Sequence, residues 1–399
     1  MTKFEEIKAR DKKYFMNTYA PVDVAFERGE GCYLTDTDGN TYLDFLGGIA
    51  VNALGYNHPV FVNAITEQAK KVSIVSNYFY NETRGLMAEQ LVKGTHLKKA
   101  FFGNSGAEAN ECAIKLARKY FKVKGENRYK IVTAVQSFHG RTLATVTATG
   151  QEKYNKPFAP LPEGIGLYIP YNDEKALREA LEDNEVAAIM LEPIQGEGGI
   201  IPASASYLKL ADTLTKEKGV LLILDEVQTG AGRTGKFWAF EHYGITPDII
   251  TCAKGIGGGV PVSACLATES VAEAFVPGDH GTTFGAQPLV TAVGYAVCSK
   301  IREEGFMEEV AVKGAHLMKG LEELNDNRIV AVRGKGLIVG AETISGDFAK
   351  DVYNRMFKNG FILNVCGGKV LRFVPPLIIT IEQIDEMLKV LKETIAEIK

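Results

Sequence analysis

Residues 221–228 read Leu-Leu-Ile-Leu-Asp-Glu-Val-Gln and indicate the fold class of this chain. The apolar run predicts a strand buried on both faces, which is typical of a parallel sheet covered by helices. Two carboxylates follow the strand directly. Because ligands of parallel α/β sheets bind beyond the carboxyl ends of the strands, the segment predicts a site as well as a fold class.

Apolar strands and helical patterns alternate from about residue 70 to residue 285. Strands separated by helices indicate a mostly parallel α/β sheet. The predicted strands are 130–135, 186–191, 221–224 and 249–252. Helices fit between them, and 203–218 is the clearest, since its apolar residues favour one side.

The two ends of the chain carry the pattern of a smaller α+β unit. Residues 33–43 predict a hairpin around Asp38-Gly39-Asn40. Residues 286–399 predict a helix at 289–304, strands near 329–341 and 369–373, and a helix at 381–398. We therefore expect an N-terminal segment (1–65) that joins the small domain, a large domain (66–285) and a C-terminal small domain (286–399).

Composition argues against several classes of function. The 399 residues carry a formal net charge of −4, which gives no electrostatic reason to expect nucleic acid. No stretch approaches the roughly 18 apolar residues of a membrane helix. The first 14 residues lack the apolar core of a secretory signal. We expect neither nucleic acid nor a membrane as a partner.

Cysteines and histidines are scattered along the chain. The six cysteines include no Cys-x-x-Cys pair, and the six histidines form no cluster. This distribution predicts buried free thiols in a reducing compartment, and no metal site. The expected location is the cytoplasm.

The segment Asn104-Ser105-Gly106-Ala107-Glu108 precedes a clear helical pattern. Ser105 and Glu108 match a capping box, and a capped core helix would by itself explain them. In the functional interpretation, small residues leave backbone N–H groups open for a phosphate at the positive helix end. The residues alone leave both interpretations open.

Asp225 and Lys254 are charges in predicted buried surroundings. A lone buried acid commonly caps a helix, whereas Asp225 could pair with a ring nitrogen and keep a pyridinium protonated. Most lysines are solvated surface charges. Lys254, however, follows the apolar strand 249–252 and precedes the glycine-rich residues 255–259. That setting suits an amine held against a cofactor aldehyde.

The segment Ser137-Phe138-His139-Gly140-Arg141 follows the predicted strand 130–135. By default, Phe138 is a core aromatic and Arg141 a surface charge. At a strand end, Phe138 could instead stack on a flat ring, and Arg141 could hold a carboxylate in a fork.

One motif points to a different class of function. Residues 230–236 read Gly-Ala-Gly-Arg-Thr-Gly-Lys and fit the first seven positions of a phosphate-binding NTPase loop. Phe237 stands where that loop needs a Ser or Thr to ligate magnesium. The motif also begins five residues after Asp225, which leaves little room for a strand, a loop and a helix. An NTPase is therefore the disfavoured alternative.

Four segments are specific in combination: Gly-Asn-Ser-Gly-Ala-Glu-Ala-Asn-Glu at 103–111, Leu-Asp-Glu-Val-Gln-Thr-Gly at 224–230, Ala-Lys-Gly at 253–255 and Gly-Thr-Thr-Phe-Gly at 281–285. With them the chain resembles the class-III pyridoxal-phosphate aminotransferases, fold-type I enzymes that act on terminal amines. The likeness extends from about residue 19 to residue 379. It implies a large domain with a mostly parallel, seven-stranded sheet plus a smaller α+β domain, and pyridoxal 5′-phosphate as cofactor.

The resemblance implies roles around the cofactor ring. Lys254 would join the cofactor aldehyde covalently and move a proton between substrate and cofactor. Asp225 would pair with the ring nitrogen, and Gln228 would hydrogen-bond the ring hydroxyl. Val227 and Phe138 would pack on the two faces of the ring.

It also implies a shared phosphate site. Gly106 and Ala107 would donate backbone N–H groups to the phosphate, with Ser105 beside them. Thr283 would reach the phosphate from the neighbouring subunit, so the expected active unit is a homodimer with its sites at the subunit interface. Thr282 would touch the substrate from the same loop.

Three further residues would bind the substrates. Arg141 would hold the carboxylate of an acylated amino acid, and Arg372 the carboxylate beside the reacting carbon of 2-oxoglutarate or glutamate. Glu197 would pair with Arg372 while the terminal-amine substrate is present, since an unpaired buried charge is costly.

Within the family, residues 138–145, 148–154 and 371–377 are most similar to members that act on N-acetyl-L-ornithine. Those members transfer its terminal amino group to 2-oxoglutarate in arginine biosynthesis, giving N-acetyl-L-glutamate 5-semialdehyde and L-glutamate. Ornithine, succinylornithine and 4-aminobutyrate remain alternative substrates. One departure is visible: Ala286-Gln287-Pro288 stands where the family usually has Gly-Asn-Pro, which puts local packing in doubt.

Overall fold

The apolar strands from the middle of the chain lie in one seven-stranded sheet, in a computed structural model that describes residues 1–398. Ser263–Ala267 runs antiparallel to both of its neighbours, and the other neighbouring pairs are parallel. The predicted mostly parallel α/β sheet is thus confirmed. Its strands, in spatial order, are Lys99–Gly103, Ser263–Ala267, Ile249–Cys252, Leu221–Asp225, Val186–Leu191, Lys130–Ala134 and Ile165–Ile169.

The strand register brings several polar segments to one edge of this sheet. Asp225 lies beside Thr251, and Leu224 lies beside Leu191 on the other side. Because these strands are parallel, their carboxyl ends meet. The residues that follow them, including Glu192 and Lys254, are therefore neighbours in space although they are far apart in sequence.

Helices cover the sheets, and several of them begin at a side-chain cap. The predicted helix at 203–218 is observed as Ala205–Lys218, because the Ser204 hydroxyl accepts a hydrogen bond from the backbone N–H of Tyr207 at 3.1 Å and caps it. The helices are Lys3–Tyr14, Gly47–Ala50, Pro59–Ala69, Glu82–Val92, Gly106–Val123, Leu143–Ala148, Glu152–Asn155, Glu174–Ala180, Ala205–Lys218, Glu269–Ala272, Pro288–Ile301, Phe306–Glu322, Gly346–Lys358 and Ile381–Glu397, with 3₁₀ turns at Lys156–Phe158, Ala239–His242 and Lys254–Ile256.

Three smaller sheets complete the architecture. Their strands are Phe26–Glu30, Tyr33–Asp36, Thr41–Asp44 and Phe361–Ile362 in the first; Ile329–Lys335, Ile338–Thr343, Val370–Phe373 and Asn364–Cys366 in the second; and Ile194–Gln195 with Ile201–Pro202 in the third. The predicted N-terminal hairpin is present, and the Asp36 carboxylate accepts the backbone N–H groups of Asp38 and Asn40 at 2.9 and 2.8 Å.

The N-terminal and C-terminal parts of the chain meet in the first of these sheets. Thr41–Asp44 pairs in parallel with Phe361–Ile362, with Leu43 opposite Phe361. This pairing joins an N-terminal hairpin to a C-terminal strand. The division into segments 1–65, 66–285 and 286–399 itself stays a prediction.

All six cysteines are buried free thiols. Burial raises the pKa of the Cys298 thiol to about 12, which keeps it protonated and unreactive. In the part of the chain that the structure describes, no helix has the length and apolar character needed to cross a bilayer.

The NTPase-like motif at 230–236 is a packed junction. Arg233 is 2% exposed and donates hydrogen bonds to the carbonyl oxygens of Leu337 and Pro375 at 3.0 and 2.5 Å. The next regular element is the short 3₁₀ turn Ala239–His242, whereas a phosphate loop leads into an α-helix. These residues connect two parts of the fold and form no nucleotide cradle.

Candidate active site

The carboxyl ends of the central strands surround a cavity of about 670 Å³, which we call the inner cavity. Its volume lies within the range of small-molecule sites, roughly 300–1,000 Å³. Most of the candidate residues from the sequence line it: Ser105, Gly106, Ala107, Phe138, Arg141, Glu197, Asp225, Val227, Gln228 and Lys254.

The helix Gly106–Val123 points its N-terminus into the inner cavity. The predicted capping box is present: the Ser105 hydroxyl accepts from the Glu108 N–H at 3.3 Å, and Glu108 accepts from the Ser105 N–H at 3.0 Å. A Cβ atom on Gly106 would lie 2.8 Å from a methyl carbon of Val227, so the backbone approaches closely because residue 106 is glycine. The first helical N–H groups, which lack partners within a helix, can bind an anion here.

Asp225 is held by a buried hydrogen-bond network. One carboxylate oxygen accepts from Nδ1 of His139 and from Nδ2 of Asn110, both at 2.8 Å. The other accepts from the backbone N–H of Val227 at 3.0 Å, and the Thr251 hydroxyl donates to Oδ1 of Asn110 at 2.6 Å. These donors orient the carboxylate and stabilise its charge.

The Asp225 carboxylate shifts the pKa of His139. Burial by itself would lower the pKa of the imidazole, but the hydrogen bond and the negative charge of Asp225 outweigh burial and raise the pKa. The proton on Nδ1 therefore stays between His139 and Asp225, and the pair keeps a fixed orientation at the wall of the cavity.

Lys254 keeps part of its surface open to the inner cavity, although protein surrounds it deeply. Burial lowers the pKa of its amine; the charge of Glu197 opposes that shift and the charge of Arg372 adds to it. A lowered pKa favours the neutral amine, which is the nucleophilic form. Lys254 also has a φ of 49°, an unusual backbone conformation for a residue with a side chain, and such strain is concentrated at functional sites.

Arg372, which is buried in the strand Val370–Phe373, forms an ion pair with Glu197, which lies partly exposed in the turn after the strand Ile194–Gln195. Nη1 of Arg372 lies 2.5 Å from Oε1 of Glu197, and Nε donates to Oδ1 of Asn364 at 3.0 Å. Burial would raise the pKa of Glu197, but the charge and hydrogen bond of Arg372 outweigh it and lower the pKa. The charge of Arg372 is thus neutralised by a partner that a carboxylate ligand could replace.

Arg141 is exposed and lies over aromatic rings. The centre of its guanidinium group is 4.1 Å from the ring of Tyr154 and 5.5 Å from the ring of Phe138. Stacking of this kind orients the guanidinium plane and leaves its edge N–H groups able to bind a carboxylate. Phe138 itself packs edge-on against Tyr154, with ring centres 5.7 Å apart.

These residues fit pyridoxal phosphate. Among residues 1–398, Oε1 of Gln228 is a buried acceptor that has no hydrogen-bond partner, and Gln228 lines the inner cavity, where a ring hydroxyl would satisfy it. An amine, a carboxylate, an aromatic ring and a helix N-terminus line the same space. They match the aldehyde, the ring nitrogen, the ring face and the phosphate of that cofactor.

Thr282 and Thr283 lie outside the inner cavity. They line a second depression, the outer cleft, together with Asn77, Tyr78 and Arg84. Thr282 still touches the inner wall, because its hydroxyl accepts from Nδ2 of Asn104 at 3.2 Å. The single chain therefore does not bring Thr283 to the helix N-terminus where a phosphate would bind.

Ala286 and Gln287 stand where the family usually has Gly-Asn, and the structure shows what each of them does in the loop. Gln287 donates to the carbonyl of Thr283 at 2.7 Å and accepts from the backbone N–H of Val75 at 2.8 Å, so it ties the threonine loop to residue 75. Ala286 has a φ of 62°, a conformation that costs a residue with a Cβ about 1–2 kcal/mol. The family's usual glycine would adopt it freely.

Sequence reasoning missed part of the site. Asn110 and Thr251 support Asp225, and Glu192 lines the inner cavity with a 7% exposed surface. His139 lies within the segment 137–141, where nothing in the sequence alone indicates its bond to Asp225. Glu192 carried the same signal as Asp225, an acid directly after a buried strand, while Asn110 showed only as a polar residue on an apolar helix face.

Comparisons with known proteins agree with this geometry. Residues 14–395 match the model of the family described as aminotransferase class-III. The chain is 50% identical to the acetylornithine aminotransferase of Caldanaerobacter subterraneus subsp. tengcongensis, over 98% of this chain and 99% of the relative. It is 46% identical to the acetylornithine aminotransferase of Methanocaldococcus jannaschii, over 98% of each.

Solved structures give the same result. The ornithine aminotransferase of Toxoplasma gondii superposes with a TM-score of 0.94 at 33% identity, over 99% of this chain and 96% of that one. The acetylornithine aminotransferase of Elizabethkingia anophelis superposes with a TM-score of 0.90 at 36% identity, over 99% and 100%. The chain belongs to the class-III aminotransferase family and has the fold of its pyridoxal-phosphate enzymes, so the predicted fold and enzyme class are confirmed.

Proposed function

We propose that this enzyme transfers the terminal amino group of N-acetyl-L-ornithine to 2-oxoglutarate, giving N-acetyl-L-glutamate 5-semialdehyde and L-glutamate. The observation that carries the proposal is one cavity lined by Lys254, Asp225 and Glu197, in which Glu197 covers the charge of the fully buried Arg372. The acetylornithine aminotransferases among the relatives, 43–50% identical over nearly the whole chain, favour this substrate.

Pyridoxal 5′-phosphate would lie in the inner cavity. The N–H groups of Gly106 and Ala107, with Ser105, would bind its phosphate. Phe138 and Val227 would pack on its ring, and Gln228 and Asp225 would bind the ring hydroxyl and the ring nitrogen. When bound, the cofactor supplies an electron sink for the carbanion left after a proton is removed.

Lys254 is the proton carrier in this proposal. Its lowered pKa favours a neutral amine, which would accept a proton from the terminal carbon of the substrate and deliver it to the cofactor. The oxygens of Asp225 accept from Asn110, His139 and Val227, so the carboxyl group is held in one orientation, where it would pair with the ring nitrogen.

The arginines explain how one site accepts two substrates in turn. Arg141 would bind the distant carboxylate of N-acetylornithine, while Glu197 covers Arg372 and leaves no buried charge unpaired. 2-Oxoglutarate brings a second carboxylate, which displaces Glu197 from Arg372 in a two-point hydrogen bond. Alternating binding at one site predicts ping-pong kinetics.

A homodimer would complete the site. Thr283 is exposed in the outer cleft, which Tyr78 also lines, and Tyr78 begins a run of exposed aromatic side chains: Tyr78 is 95% exposed, Phe79 66% and Tyr80 99%. Such a patch on a folded chain suits an interface. We propose that a second copy covers it, so that Thr283 of the partner subunit reaches the phosphate. The buried free thiols fit a cytoplasmic enzyme.

The proposal is tested by steady-state kinetics of the purified enzyme with 2-oxoglutarate. The kcat/KM for N-acetylornithine should exceed those for succinylornithine, ornithine and 4-aminobutyrate, with parallel double-reciprocal lines. Lys254→Ala should lose turnover by about 10⁴-fold or more, since it removes both the covalent anchor and the proton carrier. Normal turnover by Lys254→Ala, or a preference for another amine, would contradict the proposal.

A further inference from the structure

Glu192 is a buried acid in the inner cavity for which the proposed chemistry has no use. It follows the strand Val186–Leu191, which lies between the strand that ends at Asp225 and the strand Lys130–Ala134. Burial raises the pKa of its carboxyl to about 8, and the charge of Asp225 adds to that effect. Burying an ionisable carboxyl costs free energy, and hydrogen bonds to its oxygens offset that cost. The groups that donate to Glu192 therefore indicate its role in the site.

The two oxygens of Glu192 bind two separate loops. Oε2 accepts from the backbone N–H of Phe138 at 3.0 Å, and Oε1 accepts from the backbone N–H of Gly196 at 3.4 Å. Phe138 belongs to the aromatic wall, and Gly196 precedes Glu197, which covers Arg372. One side chain thus links the ring-binding loop to the segment that carries the partner of Arg372.

Gly196 is held from both sides. Its N–H faces Glu192, and its carbonyl oxygen accepts from Nη1 of Arg372 at 3.4 Å. A Cβ atom at this position would lie 2.1 Å from Oε1 of Gln228, so the segment has little freedom to shift toward the cavity. The position of Glu197 relative to Arg372 therefore depends on the bond between Gly196 and Glu192.

We propose that Glu192 is a positioning residue: its carboxylate anchors the Gly196–Glu197 segment to the Phe138 backbone and so keeps Glu197 on Arg372 against a competing substrate carboxylate. The anchor thus favours the state in which Glu197 pairs with Arg372. This is the state that accepts the amine substrate, which has a single carboxylate. This inference rests on the proposed function of Arg372. Its test measures ligand binding, so it can fail separately from the proposed reaction.

The test compares Glu192→Gln with the wild-type holoenzyme at pH 9, where the carboxyl is ionised. Glutamine keeps the volume but offers one acceptor oxygen, which the shorter bond to Phe138 takes, and its NH₂ group then faces the Gly196 N–H. Glu197 is loosened, and Arg372 becomes more available. The Kd of glutarate, an unreactive dicarboxylate, should fall about two- to tenfold relative to that of butyrate, which is the factor of one ordinary hydrogen bond.

The pH dependence provides a second readout. Four titratable groups face Glu192: His139, Asp225, Tyr171 and Lys254. At pH 7 the carboxyl is mostly protonated and has lost part of its acceptor strength, so the difference between Glu192→Gln and the wild type should be smaller than at pH 9. An equal difference at both values would overturn the proposal.

Two further variants separate position from charge and stability. Glu192→Asp keeps the charge but is one methylene shorter and cannot reach both N–H groups, so it should shift glutarate binding as Glu192→Gln does. Glu226→Gln is the matched control, because Glu226 is also a buried acid that accepts two backbone N–H groups, those of Ala239 and Phe240, at 3.0 and 2.8 Å. It should lower Tm without changing the glutarate-to-butyrate ratio.

Three further results would each overturn the proposal. Glu192→Gln could leave the ratio of the glutarate and butyrate Kd values unchanged at pH 9. Glu192→Asp could show the wild-type ratio, which would mean that a negative charge at position 192 is enough without bonds to both N–H groups. Glu226→Gln could change the ratio as much as Glu192→Gln does, which would mean that any buried acid matters equally.

Discussion

The inner cavity and the outer cleft differ in how far a single chain supplies partners for their polar groups. In the inner cavity, Asp225 accepts its hydrogen bonds from Asn110, His139 and Val227 of the same chain. In the outer cleft, Thr283 is exposed beside a nearly fully exposed Tyr78. A buried charge needs hydrogen-bond partners within its own chain for the chain to fold. An exposed polar group can instead bind a partner on another molecule.

This difference predicts two kinds of mutational effect. Changes in the inner cavity should act within each chain, on catalysis and on the free energy of unfolding. Changes in the outer cleft should depend on the second copy that we propose covers it.

Asp225→Asn should lower kcat by about 10²–10³-fold, the range seen when one electrostatic partner of a developing charge is removed. The amide keeps the shape but cannot stabilise a protonated ring nitrogen. Steady-state kinetics with N-acetylornithine measure the effect. Asp248→Asn is the control, since Asp248 accepts from the Leu222 N–H at the other end of the same strand, at 2.8 Å, and should affect Tm alone. A kcat within a factor of about three of wild type in Asp225→Asn would remove Asp225 from the mechanism.

Thr283→Ala should weaken cofactor binding by about 10- to 100-fold, because it removes one hydrogen bond to a charged phosphate. Equilibrium titration of the apoenzyme with pyridoxal phosphate measures this change. Mixing Thr283→Ala subunits with Lys254→Ala subunits tests where the threonine acts. If it acts across the interface, mixed dimers contain one native site, and about a quarter of the wild-type activity should return. No recovery would place Thr283 in the site of its own chain.

His139→Gln should lower the free energy of unfolding of the apoenzyme by about 1.5–3 kcal/mol, the contribution of a hydrogen bond to a charged group. Asp225 raises the pKa of His139 above 6.5, so the charged imidazole stabilises the folded state fully below that pH. The contribution is lost as pH rises through the raised value. Urea titrations should therefore show the difference between wild type and variant shrinking as pH increases. A difference independent of pH would mean that the proton contributes nothing.

Ala286→Gly should raise the free energy of unfolding by up to about 1 kcal/mol, since glycine adopts the φ of 62° without a Cβ penalty. Thermal denaturation detects a change of this size in Tm. Ala331→Gly is the control, because Ala331 lies in the strand Ile329–Lys335, where glycine should lower Tm instead. Equal losses in both variants would show that Ala286 is not strained.

Local patterns were the most predictable part of this molecule. The capping box at Ser105 and Glu108 depends on residues three positions apart, and the helix begins where it predicts. The strand predicted at 221–224 is observed as Leu221–Asp225, because its apolar run is long enough to identify a buried strand. The helix predicted at 289–304 ends at Ile301, since helix ends depend on weak local preferences.

The candidate site divides in the same way. Lys254, Asp225, Phe138 and Gly106 are recognisable because each lies at a strand or helix end with an unusual neighbourhood, and the structure places all of them on one cavity. Glu192 and Asn110 gave weaker signals, since a buried acid and a buried amide are explained equally well by structural roles. Their partners lie 54 and 115 residues away, at Phe138 and Asp225.

The sequence by itself therefore determined the class of fold, the chemistry of the strand ends and the cofactor that suits them, because these follow from short-range patterns. Only the tertiary structure decided which groups share a hydrogen bond: Glu192 with Gly196, and Asn110 with Asp225. It also placed Thr283 outside the inner cavity. The physical reason is that hydrogen bonds need contact within about 3 Å, and contacts between distant segments depend on how strands and helices pack.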